Sequence, residues 1–249
     1  MKLARILWNN RVCYAKVEND RYYLIDGDMF DIKGVSETPL KGDIKILPPT
    51  EPTKIVALGA NYKKHAKELN LKINSVPLIF LKPPSSIIAS GEDIIIPKNA
   101  QKVDYEAELC VVIKKDCKDV RPEDVFEVIL GYTCANDVSE RVFQKSDGQW
   151  TRAKGFDTFC PVGPVVETQL DGDNVDLKAV VNGKVVQQGN TADMIHDIKS
   201  IVSFVSGIMT LKKGDLIMTG TPEGVGEIKS GDVVEIVIEG IGKLKNRVI

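Results

Sequence analysis

The chain lacks the raw material for several common functions. Its cysteines, Cys13, Cys110, Cys117, Cys134 and Cys160, are odd in number and contain no Cys-x-x-Cys pair. That fits reduced, buried thiols in a cytoplasmic protein better than a disulfide framework or a cysteine zinc site. It also lacks an excess of charge of either sign. A formal net charge of −2 in 249 residues leaves no basic surface for nucleic acid or an anionic membrane. No apolar run exceeds strand length, so no membrane span is expected. The opening Met-Lys-Leu-Ala-Arg-Ile turns polar too early for a secretory signal. Asp171-Gly-Asp-Asn-Val-Asp176 has no glycine at the sixth place of a calcium loop, and Gly220-Thr-Pro-Glu-Gly-Val-Gly226 has no Gly-Lys-Ser/Thr. The first reads as a turn. The second is a loop whose glycines let backbone amides approach a small anion such as a carboxylate.

What the chain does have is Asp104-Tyr-Glu-Ala-Glu-Leu-Cys-Val-Val-Ile113. Its apolar, β-branched end predicts a buried strand, in which residues two apart point to the same side. Glu106 and Glu108 then project together, and two like charges on a half-buried face repel and resist desolvation. A hard divalent cation (Mg²⁺, Mn²⁺ or Ca²⁺) between them is one resolution; a solvated acidic edge is the other. Asp137 in Cys134-Ala-Asn-Asp-Val138 is placed to add a third carboxylate, although Asp137-Val-Ser-Glu140 equally fits a helix capping box.

Around this stretch the pattern is β-rich. Residues 1–50 read as a small N-terminal β domain, a meander with strands at Leu3–Leu7, Val12–Val17 and Tyr22–Ile25. Its turns are expected at Asn9-Asn10, Asn19-Asp20 and Asp26-Gly27. The proline-rich Leu47–Pro52 marks a boundary, leaving residues 51–249 as the main domain. Lys54–Leu58, Pro77–Leu81, Gly131–Ala135, Asp215–Thr219 and Val233–Ile238 read as strands, and Ala179–Val186 as a hairpin turning at Asn182-Gly183. Helices are expected at Lys63–Leu71, Arg121–Val128, on the turn carrying Arg141, Gln144 and Lys145, and over Asp193–Ser206. His65 and Glu68 are neighbours on one turn and, taken alone, read as a contact on a surface helix. His196 reads as structural, and Lys154 as a loop lysine between Trp150 and Phe156. The fold class is α+β.

Five segments, in order, resemble the fumarylacetoacetate hydrolase superfamily over about residues 53–249. They are Gly59-Ala-Asn-Tyr62-x-x-His65-x-x-Glu68, Asp104-Tyr-Glu-Ala-Glu-Leu109, Gly131-Tyr-Thr-x-x-Asn-Asp137-Val-Ser-x-Arg141, Lys154-Gly-Phe-Asp157 and Thr219-Gly-Thr-Pro-x-Gly-Val-Gly226. The resemblance implies a mixed β-roll or β-sandwich, a homodimer and one divalent cation per site. It implies metal ligation by Glu106, Glu108 and Asp137, and a water-activating pair, His65 and Glu68, on a segment that closes over substrate. Lys154 would polarise a carbonyl, with Arg141, Gln144 and Thr221 near the substrate. The implied substrates are small 2-oxo and 2,4-dioxo acids. The reaction expected is C–C hydrolysis of acylpyruvates, with oxaloacetate decarboxylation possible at the same site. Isomerisation of hydroxymuconate-type diacids, dehydration of 2-keto-3-deoxy sugar acids, or silent binding of a dicarboxylate are the rivals. The lysine-rich lid and Asn70–Ser75 depart from the family pattern, which leaves the substrate open.

Overall fold

The computed structural model describes residues 1–249 apart from 69, 71, 72 and 74. Its spine is Ala107–Ile113, buried along its whole length. It lies between two antiparallel neighbours, Ile129–Asn136 and Leu216–Met218. Ile55–Gly59 runs parallel to Leu216–Met218, and Leu78–Lys82 closes that edge. On the far side Cys160–Glu167 pairs with Ile129–Asn136 and then with Lys2–Trp8. Lys2–Trp8 leads into the N-terminal meander Arg11–Glu18, Arg21–Asp28 and Asp31–Val35. A five-stranded sheet built from Lys184–Asn190, Asp176–Val181, Val233–Ile238, Gly242–Val248 and Asp93–Ile94 packs against this one.

Strand alternation explains the packing. Leu109, Val111 and Ile113 join Leu177, Ile236 and Leu244 of the second sheet and Ile201 and Val205 of the helix Ile198–Ile208. Cys110 and Val112, on the opposite face, join Ala57, Leu216, Met218 and Cys160. Each such aliphatic side chain contributes roughly 1.5–3 kcal/mol of burial, so a strand apolar on both faces becomes the centre.

Most expected elements are present, with five differences. The predicted continuous strand is two: Val103–Tyr105 belongs to a three-stranded sheet with Ser139–Glu140 and Gly226–Glu227, and Glu106 falls at the break. The break is held from the side, because Glu106 N donates to Asn136 Oδ1 at 2.9 Å and Ala107 N to Gln187 Oε1 at 3.0 Å. Asp26-Gly27 is a bulge inside Arg21–Asp28 rather than a turn, with Gly27 at φ 101°. Asn9-Asn10, Asn19-Asp20 and Asn182-Gly183 are the expected left-handed turns. The helix expected from Asp193 starts at Ile198, because Asp197 accepts from Ser200 N and so caps it there. Lys154 ends a short helix, Thr151–Lys154, instead of lying in a loop. The helix expected over Lys63–Leu71 spans Lys63–Glu68; its remaining leucines, Leu69 and Leu71, lie outside the described residues.

One buried carboxylate ties the boundary segment to the central strands. Asp215 accepts from Thr53 N, Thr53 Oγ1 and Lys54 N through Oδ1, and from Lys212 N and Lys54 Nζ through Oδ2. Burial alone would raise its pKa, but these donors outweigh it and lower it. A carboxyl with a lowered native pKa stabilises the fold above its unfolded value and loses that contribution as pH falls through the native one. Asp215→Asn is therefore expected to cost about 3 kcal/mol at pH 7. Urea unfolding at pH 7 and pH 3 checks this, with the gap to the parent protein closing at the lower pH.

Candidate active site

The spine ends at a cluster of buried acids. One oxygen each from Glu106, Glu108 and Asp137 lies within 4.8 Å of the others. Glu108 comes from Ala107–Ile113, Glu106 from the break before it, and Asp137 from the residue after Ile129–Asn136. Asp137 N donates to Glu106 O at 3.0 Å, which fixes the two backbones together. Asp137 is not a helix cap: Glu140 performs that task, accepting from Phe143 N at the start of Arg141–Asp147. The capping alternative thus moves three residues on and leaves Asp137 aimed at the cluster.

The three carboxylates are not equivalent. Glu108 Oε2 accepts from Gly220 N at 2.7 Å, while Glu108 Oε1 is buried with no hydrogen-bond partner among the described residues. Burial, with the charges of Asp137 and Glu106, raises its pKa well above the ordinary range. Burial also acts against ionised Glu106, but Lys154 and Arg141 overcome it and hold that carboxyl low. Four buried acids, Asp104, Glu106, Glu108 and Asp137, face three cations, Lys82, Arg141 and Lys154. An all-oxygen donor set with one orphaned oxygen and a surplus negative charge suits a hard divalent cation.

The cations have distinct commitments. Lys154 Nζ reaches Glu106 Oε2 at 2.8 Å and Asp137 Oδ2 at 2.6 Å, and its third N–H is uncommitted among the described residues. Lys82 Nζ is fully used: it donates to Asp137 Oδ1, Lys154 O and Val138 O, the first two at 2.6 Å. Arg141 reaches Asp104 Oδ2 at 2.8 Å, Glu106 Oε1 at 2.6 Å and Gln144 Oε1 at 2.8 Å. Thr221 Oγ1 donates to Ala107 O and accepts from Gln187 Nε2, so its proton is already placed within the chain.

Above the acids sits the helix Lys63–Glu68. His65 is buried, with Nδ1 3.0 Å from Glu68 Oε2, and Glu68 Oε1 accepts from Gly224 N at 3.0 Å. Of the pair read from sequence as a surface contact, His65 is turned inward while Glu68 stays exposed. The glycine-loop amides expected near an anion meet this chain's own carboxylates, Gly220 at Glu108 and Gly224 at Glu68.

A narrow cleft brings His65, Glu106, Arg141, Gln144, Lys154 and Thr221 together in its lining. Glu108 and Asp137 stand beside Glu106 without lining the cleft, and Glu68 contacts His65 from outside it. Trp150 forms an apolar side, packed so closely on Gly59 that a Cβ there would stand 2.5 Å from its ring. Sequence reasoning missed Lys82, Asp104 and Trp150. Lys82 carried a signal, since a lysine ending an apolar strand before Pro83-Pro84 has little reason to be there unless paired. Asp104 lay inside the stretch already singled out, and its partner is 37 residues away.

Comparison with known proteins agrees with this geometry. The family model "Fumarylacetoacetate (FAA) hydrolase C-terminal" matches residues 54–249, and "Rv2993c-like, N-terminal" matches residues 1–49. The chain is similar to the 2,4-didehydro-3-deoxy-L-rhamnonate hydrolase of a Sphingomonas species, 44% identical over 207 residues, 78% of this chain and 73% of that one. It is 40% identical to the mitochondrial oxaloacetate tautomerase fahd2 of Xenopus laevis, over 84% of this chain and 70% of that one. The solved 5-carboxymethyl-2-hydroxymuconate delta-isomerase of Mycobacterium smegmatis superposes with a TM-score of 0.93 at 42% identity, covering 100% and 99% of the two chains. Buried acids, a buried histidine with its glutamate partner and these likenesses lead to one conclusion: the chain belongs to the fumarylacetoacetate hydrolase family, whose members are enzymes.

Proposed function

We propose that the protein is a divalent-metal-dependent enzyme of small 2-oxo and 2,4-dioxo acids, and that it hydrolyses the C3–C4 bond of acylpyruvates. The observation that carries this reading is a buried acid triad with an unsatisfied oxygen, directly under a His–Glu pair and an uncommitted lysine N–H. Glu106, Glu108 and Asp137 would hold the cation, Mg²⁺ or Mn²⁺, with Ca²⁺ as a further candidate. Bound there, it would supply Lewis-acid stabilisation to the negative charge that develops on the pyruvate half.

The chain's own groups supply the rest. Glu68 holds the proton on His65 Nδ1, which leaves Nε2 to accept one from water as the water attacks the distal carbonyl. The third N–H of Lys154 offsets charge on the resulting oxyanion. The remaining N–H groups of Arg141, with Gln144 and Thr221, border the substrate. When C3–C4 breaks, its electron pair stays with C3 as the pyruvate enolate, and His65 returns the proton. Loss of CO₂ from oxaloacetate gives the same enolate without an attacking water, so decarboxylation is a possible second activity. Proton transfer by His65 alone would give tautomerisation, a reading favoured by the likeness to the proteins named as tautomerase and isomerase.

We also propose that residues 1–50 and 51–249 are separate domains, with the sheet running on from one to the other. The reading includes a cytoplasmic homodimer; no helix is long and apolar enough to cross a membrane. Five unpaired cysteines support the first, and Leu78 and Leu81, exposed on the edge strand, support the second.

Acetylpyruvate with Mg²⁺ tests the reaction. Loss of its enol absorbance with matching pyruvate release is expected, chelator should stop it, and His65→Ala should lower kcat at least about 100-fold. Absorbance loss without pyruvate indicates tautomerisation, and no change removes acylpyruvates as substrates.

Thermal unfolding tests the metal. Because Glu108 binds its proton more tightly in the native state, the metal-free protein loses stability as pH rises through that raised pKa. Glu108→Gln keeps an acceptor for Gly220 N and removes the repulsion, so at pH 7 it should melt no lower than the parent without metal. With Mn²⁺ at 100 times Kd the parent should gain about 2.7 kcal/mol, roughly 5–10 °C, and the variant nothing.

A further inference from the structure

We infer that Tyr105 is a positioning residue for the His65–Glu68 pair, acting through the backbone of Gly224. The inference rests on the reading of His65 as the base. Tyr105 is buried on Val103–Tyr105, immediately before Glu106, and its ring packs where Gly226 has no side chain: a Cβ on Gly226 would be 3.0 Å from the phenol oxygen. The hydroxyl donates to Gly224 O at 2.8 Å. Gly224 N in turn donates to Glu68 Oε1 at 3.0 Å, and Glu68 Oε2 meets His65 Nδ1 at 3.0 Å.

Gly224 needs such a constraint. It lies at φ 95°, in the region open to glycine, and a residue without a side chain has the most backbone freedom to lose. Gln187 fixes the start of the same loop, donating to Pro222 O at 2.7 Å, but nothing from Gln187 reaches Gly224 O. The tyrosine hydroxyl therefore sets the direction of the Gly224 amide, and that amide sets the free oxygen of Glu68. Strand pairing of Tyr105 with Gly226 ties the loop that carries Gly224 to the segment that leads into Glu106. The acid site and the base above it are thus held in register by one phenol.

Tyr105→Phe removes the hydroxyl and keeps the ring. With Mg²⁺ and acetylpyruvate, kcat is expected to fall about tenfold, with KM and Mn²⁺ affinity within about twofold of the parent. In a His65→Ala background the same change should alter the residual rate by less than about twofold, since a residue acting through His65 has nothing left to position. An unchanged kcat in Tyr105→Phe, alongside a crippled His65→Ala, overturns the inference alone. So does an equal tenfold loss in both backgrounds, which marks a general structural role. Full activity in His65→Ala, or no turnover by the parent, overturns the reading of the base and this inference with it.

Discussion

Charge imbalance under the cleft is the constraint on which the rest depends. Burying four carboxylates against three cations leaves Glu108 as the member without a counter-charge, and its Oε1 without any donor. In a low-dielectric interior such a group either takes up a proton or attracts a cation. The surroundings suit the second outcome. Lys82 and Lys154 divide Asp137 between them, Lys154 and Arg141 divide Glu106, and a backbone amide alone serves Glu108. One side of the cluster is saturated and the other is left open.

The fold serves this arrangement. Ala107–Ile113 is apolar on both faces beyond Glu108 and buried along its whole length, so the acids, Glu106 and Glu108, gather at the end where the strand begins. The change of sheet at Glu106 lets two glutamates two residues apart serve different partners. Asn136 and Gln187 hold the backbone at that point, which keeps the break from being a flexible joint. The helix Lys63–Glu68 is short and polar outside its buried His65 and Ala66, and Glu68 ties it to the loop at Gly224.

Much of the site was legible in the sequence because its chemistry is written in local spacing. Glu106 and Glu108 on an apolar strand, and His65 and Glu68 one turn apart, announce themselves as pairs. The inward direction of His65 did not, because nothing within Lys63–Glu68 says which side Glu68 turns to Gly224, 156 residues away. Lys82, Asp104 and the link from Tyr105 to Gly224 were hidden for the same reason: each gains meaning only from a distant partner. Local periodicity also overran its limits at Asp193, where Asp197 caps the helix, and at Asp26-Gly27, where a bulge imitates a turn. Lys154 looked like a loop lysine between aromatic residues, yet the helix that ends on it directs its ammonium between two acids.

The most direct test of the account is crystallographic. Crystals soaked in Mn²⁺ and measured near the manganese edge should show one strong anomalous peak bounded by oxygens of Glu106, Glu108 and Asp137, with the Glu108 oxygen now partnered. No peak there, or one elsewhere with Lys154 still bridging Glu106 and Asp137, would contradict it.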